Sequence, residues 1–327
     1  MELTAIIYRR AIVFATLVAC FVFTCGARAQ DFPGKPVRII VPNPPGAGTD
    51  TVARLFAQGL QEIWKQPVVV EYKPGAGMVL GTDYVAKSAP DGYTIALVQT
   101  AHMINPSVQA SLPFDTVKDL SGVSLNTSSH IVLLATQSLP ASNLRELIGL
   151  AKQQPGRLSY GSPGSGSAMQ LTVELLKSMT GMDILHIPYK GNTAAFVDVM
   201  AGRVQLLVAT LYGAMPYIRG GKLKAIAVSG PKRALAAPDI PIVAETVPGF
   251  NVLSVSGMVV PGATPRPLVH KISADVNAML KQPHVRAQLA DLGLEPMGST
   301  PEQFDAYIKT EIEKWAKVVK FAGVKAD

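Results

Sequence analysis

One stretch near the start of the chain constrains the fold more than any other. Residues 38–63 predict a strand, a glycine-rich turn and a helix in direct succession. The run of β-branched residues at 37–41 is typical of a strand buried on both faces of a parallel sheet, and the prolines that follow end it. Gly46 and Gly48 then allow a tight turn, after which apolar residues recur at helical spacing. This order predicts an α/β fold in which a helix begins directly after a buried strand.

The start of that helix is a candidate anion-binding site. Thr49 or Asp50 is expected to cap the helix. Free backbone N–H groups and the positive end of the helix dipole favour a carboxylate or a phosphate at such a turn. An ordinary connection between a strand and a helix has the same pattern, so this stretch alone leaves both interpretations open.

The pattern occurs a second time, where a predicted strand at 158–160 leads into the glycine- and serine-rich segment 161–167. If the two units face each other, both helix N-termini point into one cleft and hold one anion from opposite sides. The expected donors are backbone N–H groups and four hydroxyls, those of Thr49, Ser162, Ser165 and Ser167. Doubly wound proteins repeat such turns for structural reasons alone, and that alternative also stays open.

Strands and helices alternate through both halves of the 327-residue chain, which is long enough for two cores. We therefore predict two lobes, each with a doubly wound, mainly parallel sheet and flanking helices. A strand at 252–260 is expected to return the chain to the first lobe, and three helices follow it. The first lobe is predicted to contain residues 30–124 and 254–327, and the second residues 125–253.

The first 29 residues are predicted to be a signal peptide. Arg9 and Arg10 precede an apolar segment, and the small-x-small pattern of 27–29 is typical of a signal-peptidase site, which places the mature N-terminus at Gln30. The alternative is a lipobox with a lipid anchor at Cys20. Either interpretation predicts an exported protein.

Composition and motifs exclude several classes of function. The favoured cleavage removes both cysteines, so thiol chemistry and thiolate metal sites are excluded. Charge is spread thinly, aromatic residues are 6%, and no run of Lys and Arg exceeds two residues, which disfavours nucleic-acid binding. No dinucleotide fingerprint, P-loop or Gly-x-Ser-x-Gly elbow occurs, and the histidines lack metal-ligand spacing. We expect no metal and no cofactor.

One histidine differs from the others in its position. Thr100 and His102 follow a predicted strand at 93–98, and ligands of open α/β sheets bind at the carboxyl ends of strands. Both residues are therefore candidate ligand contacts.

A series of short motifs resembles the Bug/TctC family of periplasmic solute-binding proteins, in order and over essentially the whole mature chain. These motifs are Val41-Pro42, Pro45-Gly46-Ala47-Gly48-Thr49-Asp50, Gln66-Pro67-Val68-Val69-Val70-Glu71, Lys73-Pro74-Gly75-Ala76-Gly77, Ala89-Pro90-Asp91-Gly92-Tyr93-Thr94, Asn105-Pro106, Tyr160-Gly161-Ser162, His186-Ile187-Pro188-Tyr189-Lys190-Gly191 and Gly221-Lys222-Leu223-Lys224-Ala225.

The resemblance implies a two-lobed periplasmic-binding-protein fold that holds a small carboxylate between the lobes, partly through water. It also implies delivery to the two membrane permease subunits of a tripartite tricarboxylate transporter, with no reaction catalysed. We expect a monomer. Together with the two strand-end residues, the motif positions predict thirteen ligand-binding residues: Asn43, Ala47, Gly48, Thr49, Asp50, Thr100, His102, Ser162, Gly164, Ser165, Ser167, Tyr189 and Thr210.

Two positions depart from the family pattern. Asn43 stands where an aromatic residue is common, and Ala209 stands where members that bind amino acids have an aspartate. Both changes favour a carboxylate without an amine, bearing hydroxyl, keto or second carboxyl groups; drift at positions that face bridging water is the alternative. A secreted ligand-sensing protein or hydrolase that uses the same cleft is the other function considered, with His102 or His130 as the unassigned base.

Overall fold

A computed structural model describes residues 32–45 and 48–325. The predicted signal peptide, the alternative lipid site at Cys20, and the loop residues Gly46 and Ala47 lie outside the described residues. Residues 36–327 group into one unit, which the following paragraphs concern.

The described residues form eleven strands and ten α-helices. The strands are β1 (Val37–Val41), β2 (Val68–Tyr72), β3 (Thr94–Gln99), β4 (Leu120–Ser129), β5 (Ile131–Thr136), β6 (Ser159–Ser162), β7 (Leu185–Pro188), β8 (Leu206–Thr210), β9 (Leu223–Val228), β10 (Ser254–Pro261) and β11 (Glu295–Pro296). The helices are α1 (Gly48–Trp64), α2 (Val79–Ala86), α3 (Ala101–Val108), α4 (Leu144–Gln153), α5 (Ala168–Thr180), α6 (Asn192–Met200), α7 (Leu211–Arg219), α8 (Arg266–Lys281), α9 (Pro283–Asp291) and α10 (Pro301–Ala322).

The first sheet has the strand order β11-β4-β10-β3-β1-β2. Strand β1 pairs in parallel with both β2 and β3, so that Ile39 lies opposite Val70 on one side and Ile95 on the other. Strand β10 lies antiparallel to β3 and β4. The predicted return of the chain to the first sheet near residue 252 is therefore confirmed.

The second sheet has the order β7-β6-β8-β5-β9. Strand β6 is parallel to β7 and β8, whereas β5 is antiparallel to β8 and β9. Two α/β sheets confirm the predicted fold class, and helices join the parallel strands as expected.

The prediction of mainly parallel sheets is correct only for part of each sheet. His130 alone separates β4, in the first sheet, from β5, in the second. Such a short link admits no crossover helix, and the strands on either side of it, together with the returning β10, pair antiparallel with their neighbours.

Strand β4 also shows where local pattern was insufficient. All ten of its residues are buried, yet the predicted boundary between the lobes, at residues 124 and 125, falls inside this strand. The last four residues of β4, 126–129, are all polar, so no apolar pattern marks them as part of a strand. The chain remains in the first sheet as far as Ser129. The predicted division into lobes stays a prediction.

Two short helices were not predicted, because each contains an internal proline, Pro106 in α3 and Pro216 in α7. By contrast, the three predicted helices of the C-terminal region are confirmed as α8, α9 and α10, which begin beside prolines.

Helix α10 packs against α3 and β4 and also contacts α5 on the side of the second sheet. Its Phe304 and Trp315 are buried in a hydrophobic cluster that includes side chains of both sheets. A Cβ at Gly257 of β10 would overlap the Phe304 ring, so this close packing requires glycine.

Within the described residues, no helix combines the length and the apolar composition that a bilayer span requires. No group of three His, Cys, Asp or Glu side chains there could hold a metal ion.

Candidate functional site

A cavity of about 310 Å³ is lined by residues from both sheets. The carboxyl ends of β3 and β8 contribute Gln99 and Thr210, and β4 and β10 contribute further hydroxyl side chains. The described lining residues are Thr49, Val52, Gln99, Thr100, Ala101, Thr127, Ser129, Ser167, Ala168, Met169, Asn192, Thr210, Tyr212, Ser254, Val255, Ser256, Leu292 and Leu294. None of them carries a formal charge at neutral pH.

Five helices begin at this cavity. The lining residues from the first turns of α1, α3, α5, α6 and α7 are Thr49, Ala101, Ala168, Asn192 and Tyr212. Each helix N-terminus carries N–H groups that have no partner within the helix and a partial positive charge of roughly half an elementary charge. Because the described lining supplies no acidic side chain, the local field favours an anion.

Thr49 lies in a network of side-chain hydrogen bonds behind the cavity wall. Asn43 Nδ2 donates to Thr49 Oγ1 at 2.9 Å and to Gln99 Oε1 at 3.1 Å, and Gln99 Nε2 donates to Thr49 Oγ1 at 2.8 Å. Thr49 and Gln99 line the cavity, whereas Asn43 supports them from outside the lining.

The predicted role of Asp50 is not observed. Helix α1 begins at Gly48, so Thr49 and Asp50 lie inside its first turn and the predicted cap is wrong. Asp50 Oδ1 accepts hydrogen bonds from Arg54 Nε at 2.7 Å and Tyr72 Oη at 2.6 Å. The hydrogen bond to Asp50 raises the pKa of Tyr72. The Asp50 carboxylate is thus held by neighbouring side chains and does not line the cavity.

Thr100 and His102 have different surroundings. Thr100 lines the cavity, and its Oγ1 accepts a hydrogen bond from Val255 N at 2.9 Å. His102 is buried inside α3, does not line the cavity, and its Nε2 has no hydrogen-bond partner among the described residues. Burial lowers the pKa of His102 to about 4, so the ring is neutral at pH 7 and supplies no positive charge for a ligand.

Of the second glycine loop, Ser167 alone reaches the described lining. It caps α5 by accepting from Gln170 N at 3.2 Å, and its hydroxyl donates to Gly164 O at 2.7 Å. In this arrangement the Ser167 hydrogen is donated within the loop, and the role of Ser167 as a donor to a ligand stays a prediction. Gly164 and Ser165 lie outside the lining.

The side chains of two other predicted residues form hydrogen bonds within the protein instead of lining the cavity. Ser162 is fully buried, and its Oγ lies 2.6 Å from His186 Nε2. Tyr189 Oη donates to Asp198 Oδ2 at 2.7 Å, and burial, with this hydrogen bond, raises the pKa of Tyr189 to about 12. Neither residue lines the cavity.

Position 210, rather than 209, faces the cavity. Ala209 is fully buried in an apolar cluster, whereas Thr210, the next residue of β8, lines the cavity. Successive strand residues point to opposite faces, so the absence of an acidic side chain from this part of the lining depends on Thr210.

Four serine and threonine residues of the described lining were not among the predicted site residues. Thr127 and Ser129 of β4, and Ser254 and Ser256 of β10, each recur with a spacing of two residues, which places each pair on one face of its strand. The Thr127 and Ser256 hydroxyls lie 2.6 Å apart. This two-residue spacing predicts that each pair shares one face, but only when both segments are already known to be strands.

Known proteins resemble this chain over nearly all of its length. The protein BugT of Bordetella pertussis is 34% identical over 316 residues, which cover 94% of this chain and 97% of BugT. The structure of R. palustris Rpa4515 with adipate shares 32% identity and superposes with a TM-score of 0.78, covering 91% of this chain and all of that one. MatC (Rpa3494) of Rhodopseudomonas palustris with bound malate shares 32% identity, with a TM-score of 0.72 over 88% of this chain and all of MatC.

A sequence profile of the TctC family, described as the tripartite tricarboxylate transporter family receptor, matches residues 52–324. The resemblance noted from the short motifs is therefore confirmed. The chain belongs to the TctC family of periplasmic solute-binding proteins.

Proposed function

We propose that this protein captures a small organic carboxylate without an ammonium group in the cavity between its two sheets and delivers it to the permease subunits of a tripartite tricarboxylate transporter. The convergence of five helix N-termini on a lining without described acidic side chains carries this proposal. The family and the adipate and malate of two similar structures support it.

The exclusion of amino acids follows from the electrostatics of the lining. A buried ammonium group without a negative partner costs several kcal/mol. Thr210 is neutral, and the nearby Asp50 carboxylate is bound to Arg54 and Tyr72. An amino acid would therefore leave its ammonium group without a negatively charged partner.

Size and hydrogen bonding narrow the ligand further. A cavity of about 310 Å³ lies at the small end of ligand sites. Asn192 lines it, and its Oδ1 has no hydrogen-bond partner among the described residues. Ser167 also retains a lone pair, because among the described residues its hydroxyl accepts from Gln170 N alone. These acceptors suit a ligand that carries a hydroxyl group.

A thermal-shift screen with malate, succinate, adipate, citrate and aspartate tests ligand capture. A carboxylate at about 100 times its Kd adds about 2.7 kcal/mol to the free energy of unfolding. We expect malate or another carboxylate to raise the Tm and aspartate to have a smaller effect. A larger shift with aspartate than with malate would contradict the proposed ligand class, and no shift with any of the five would contradict capture.

Delivery requires a cellular measurement. Deleting the gene should abolish uptake of the identified carboxylate, and expression of the full chain should restore it. Uptake that persists at the wild-type rate without the protein would contradict a role as transport receptor.

A serine hydrolase is the second candidate, because Ser162 Oγ lies within hydrogen-bond distance of His186 Nε2. Ser162 is fully buried and does not line the cavity, so we expect no ester turnover. His130 Nε2, another base considered, lies 2.8 Å from Lys232 O. Hydrolysis of p-nitrophenyl acetate by wild type that is lost in Ser162→Ala would instead favour the hydrolase.

A further inference from the structure

We propose that Asn43 and Gln99 force the Thr49 hydroxyl to act as a hydrogen-bond donor toward the ligand, so that this part of the cavity selects an acceptor oxygen and disfavours N–H groups. The inference rests on the proposed function, because it requires the ligand to occupy the cavity that Thr49 lines. It assigns Asn43 and Gln99 the role of positioning residues that act through Thr49.

Three contacts define the network. Thr49 Oγ1 lies 2.9 Å from Asn43 Nδ2 and 2.8 Å from Gln99 Nε2, and the two amides meet at 3.1 Å between Asn43 Nδ2 and Gln99 Oε1. Thr49 is only 6% exposed, so its hydrogen-bonding capacity is not satisfied by bulk water.

The orientation of both amides follows from counting hydrogens. As placed, Asn43 Nδ2 supplies two hydrogens and Gln99 Nε2 supplies one, which satisfies all three contacts. Turning one amide alone would bring two oxygens or two NH₂ groups together. Turning both would leave three contacts with two hydrogens, one from Thr49 and one from Gln99, and one close oxygen pair without a hydrogen. Only the observed arrangement satisfies the network.

These contacts determine whether the Thr49 hydroxyl donates or accepts a hydrogen bond at the cavity. A threonine hydroxyl has one hydrogen and two lone pairs, and both lone pairs of Thr49 receive hydrogens from the amides. Among the described residues no protein atom accepts the Thr49 hydrogen, and the residue lines the cavity. The hydrogen is therefore available to a ligand.

The position of Thr49 adds to this preference. It is the second residue of α1, where the helix dipole favours a negatively charged acceptor. Ser167, across the same cavity, has the opposite polarity, because its hydrogen is donated to Gly164 O. A ligand carboxylate or keto oxygen thus matches Thr49, whereas an ammonium or amide N–H group would face a second donor.

A double-mutant cycle tests the inference, with malate and adipate as probes and calorimetry as the measurement. Thr49→Val removes the hydroxyl at nearly constant volume and should weaken binding of the bound probe by tenfold or more. Thr49→Ser, which keeps the hydroxyl, should bind within about threefold of wild type. Asn43→Leu should weaken binding in the wild-type background and have no further effect in the Thr49→Val background.

Asn43 is the better of the two amide residues to replace in this experiment, because it does not line the cavity, whereas Gln99 does. An equal loss from Asn43→Leu in both backgrounds, or unchanged affinity in Thr49→Val, would overturn the inference. If neither malate nor adipate binds to wild type, the carboxylate that gives the largest thermal shift replaces them as the probe. The absence of any binding carboxylate would overturn the proposed function, whereas unchanged affinity in Thr49→Val for a probe that wild type binds would overturn this inference alone. Thermal melts of each variant establish folding, and Thr49→Ser provides a second, conservative variant.

Discussion

Replacing Thr210 with aspartate would place a negative charge in a cavity whose described lining has none. The fold should accept the change, since Thr210 precedes α7 as its N-cap residue in an extended conformation and makes no capping hydrogen bond with its side chain. Aspartate is among the preferred N-cap residues and interacts favourably with the helix dipole. Any effect on binding should therefore arise from charge rather than from misfolding.

The dimensions of the cavity set the magnitude of the effect. A sphere of 310 Å³ is about 8 Å across, so a bound carboxylate lies within about 8 Å of the new charge. At an effective dielectric constant of about 20, two like charges at that distance repel by about 2 kcal/mol, which corresponds to about a 30-fold increase in Kd. An ammonium group on the ligand would be attracted by a comparable amount.

Malate and aspartate form the matched pair for this measurement, since they differ only in a hydroxyl and an ammonium group. Calorimetry should show the ratio of malate to aspartate affinity falling by about 30-fold or more in Thr210→Asp. Thr210→Asn is the control, because asparagine also suits an N-cap and has nearly the shape of aspartate without the charge. Equal ratios in Thr210→Asp and Thr210→Asn would refute the electrostatic reasoning.

Three further predictions concern packing, a buried hydrogen bond and pH. Gly293→Val should weaken malate binding and lower the free energy of unfolding by about 1–3 kcal/mol. Gly293 has a φ of +65°, and an added Cβ would lie 2.5 Å from Tyr212 Cβ at the cavity. Wild-type affinity and Tm in this variant would contradict the prediction. Tyr160→Phe should cost about 1.5–3 kcal/mol in urea unfolding, because it removes the 2.6 Å hydrogen bond to the buried Glu174 carboxylate; an unchanged midpoint would contradict it. The pKa of His102 is about 4 in the folded protein and near 6.5 in the unfolded chain. Between these two pH values the unfolded state binds more protons, so the free energy of unfolding decreases as the pH falls. The expected decrease from this residue is about 3 kcal/mol in total. Urea unfolding at pH 7, 5.5 and 4 should show a smaller loss in His102→Phe than in wild type, and equal losses would contradict the assignment.

The order of residue types over short stretches of the sequence determined the strand–turn–helix elements. The β-branched run of β1, the prolines after it and the apolar spacing of α1 specify their conformations through neighbours a few residues away, which is why residues 38–63 alone predict a buried strand that leads into a helix. The family motifs depend on the same local information, and they indicated a carboxylate-binding protein before any tertiary contact was known.

Tertiary structure alone decided which side chains meet in the cavity. Ser162 ends the strand before one glycine-rich segment, and Thr49 lies in the first turn of the helix after the other. Both were predicted to bind the ligand, yet Ser162 binds His186 in the interior while Thr49 lines the cavity. Thr127 and Ser256 meet although 129 residues separate them. Local propensity determines whether a residue lies in a strand or a helix, but the face that its side chain occupies depends on sheet register and on packing between distant segments. The sequence by itself therefore determined the strand–turn–helix elements and the family of this protein, whereas only the folded chain determined the polarity and the members of its candidate site.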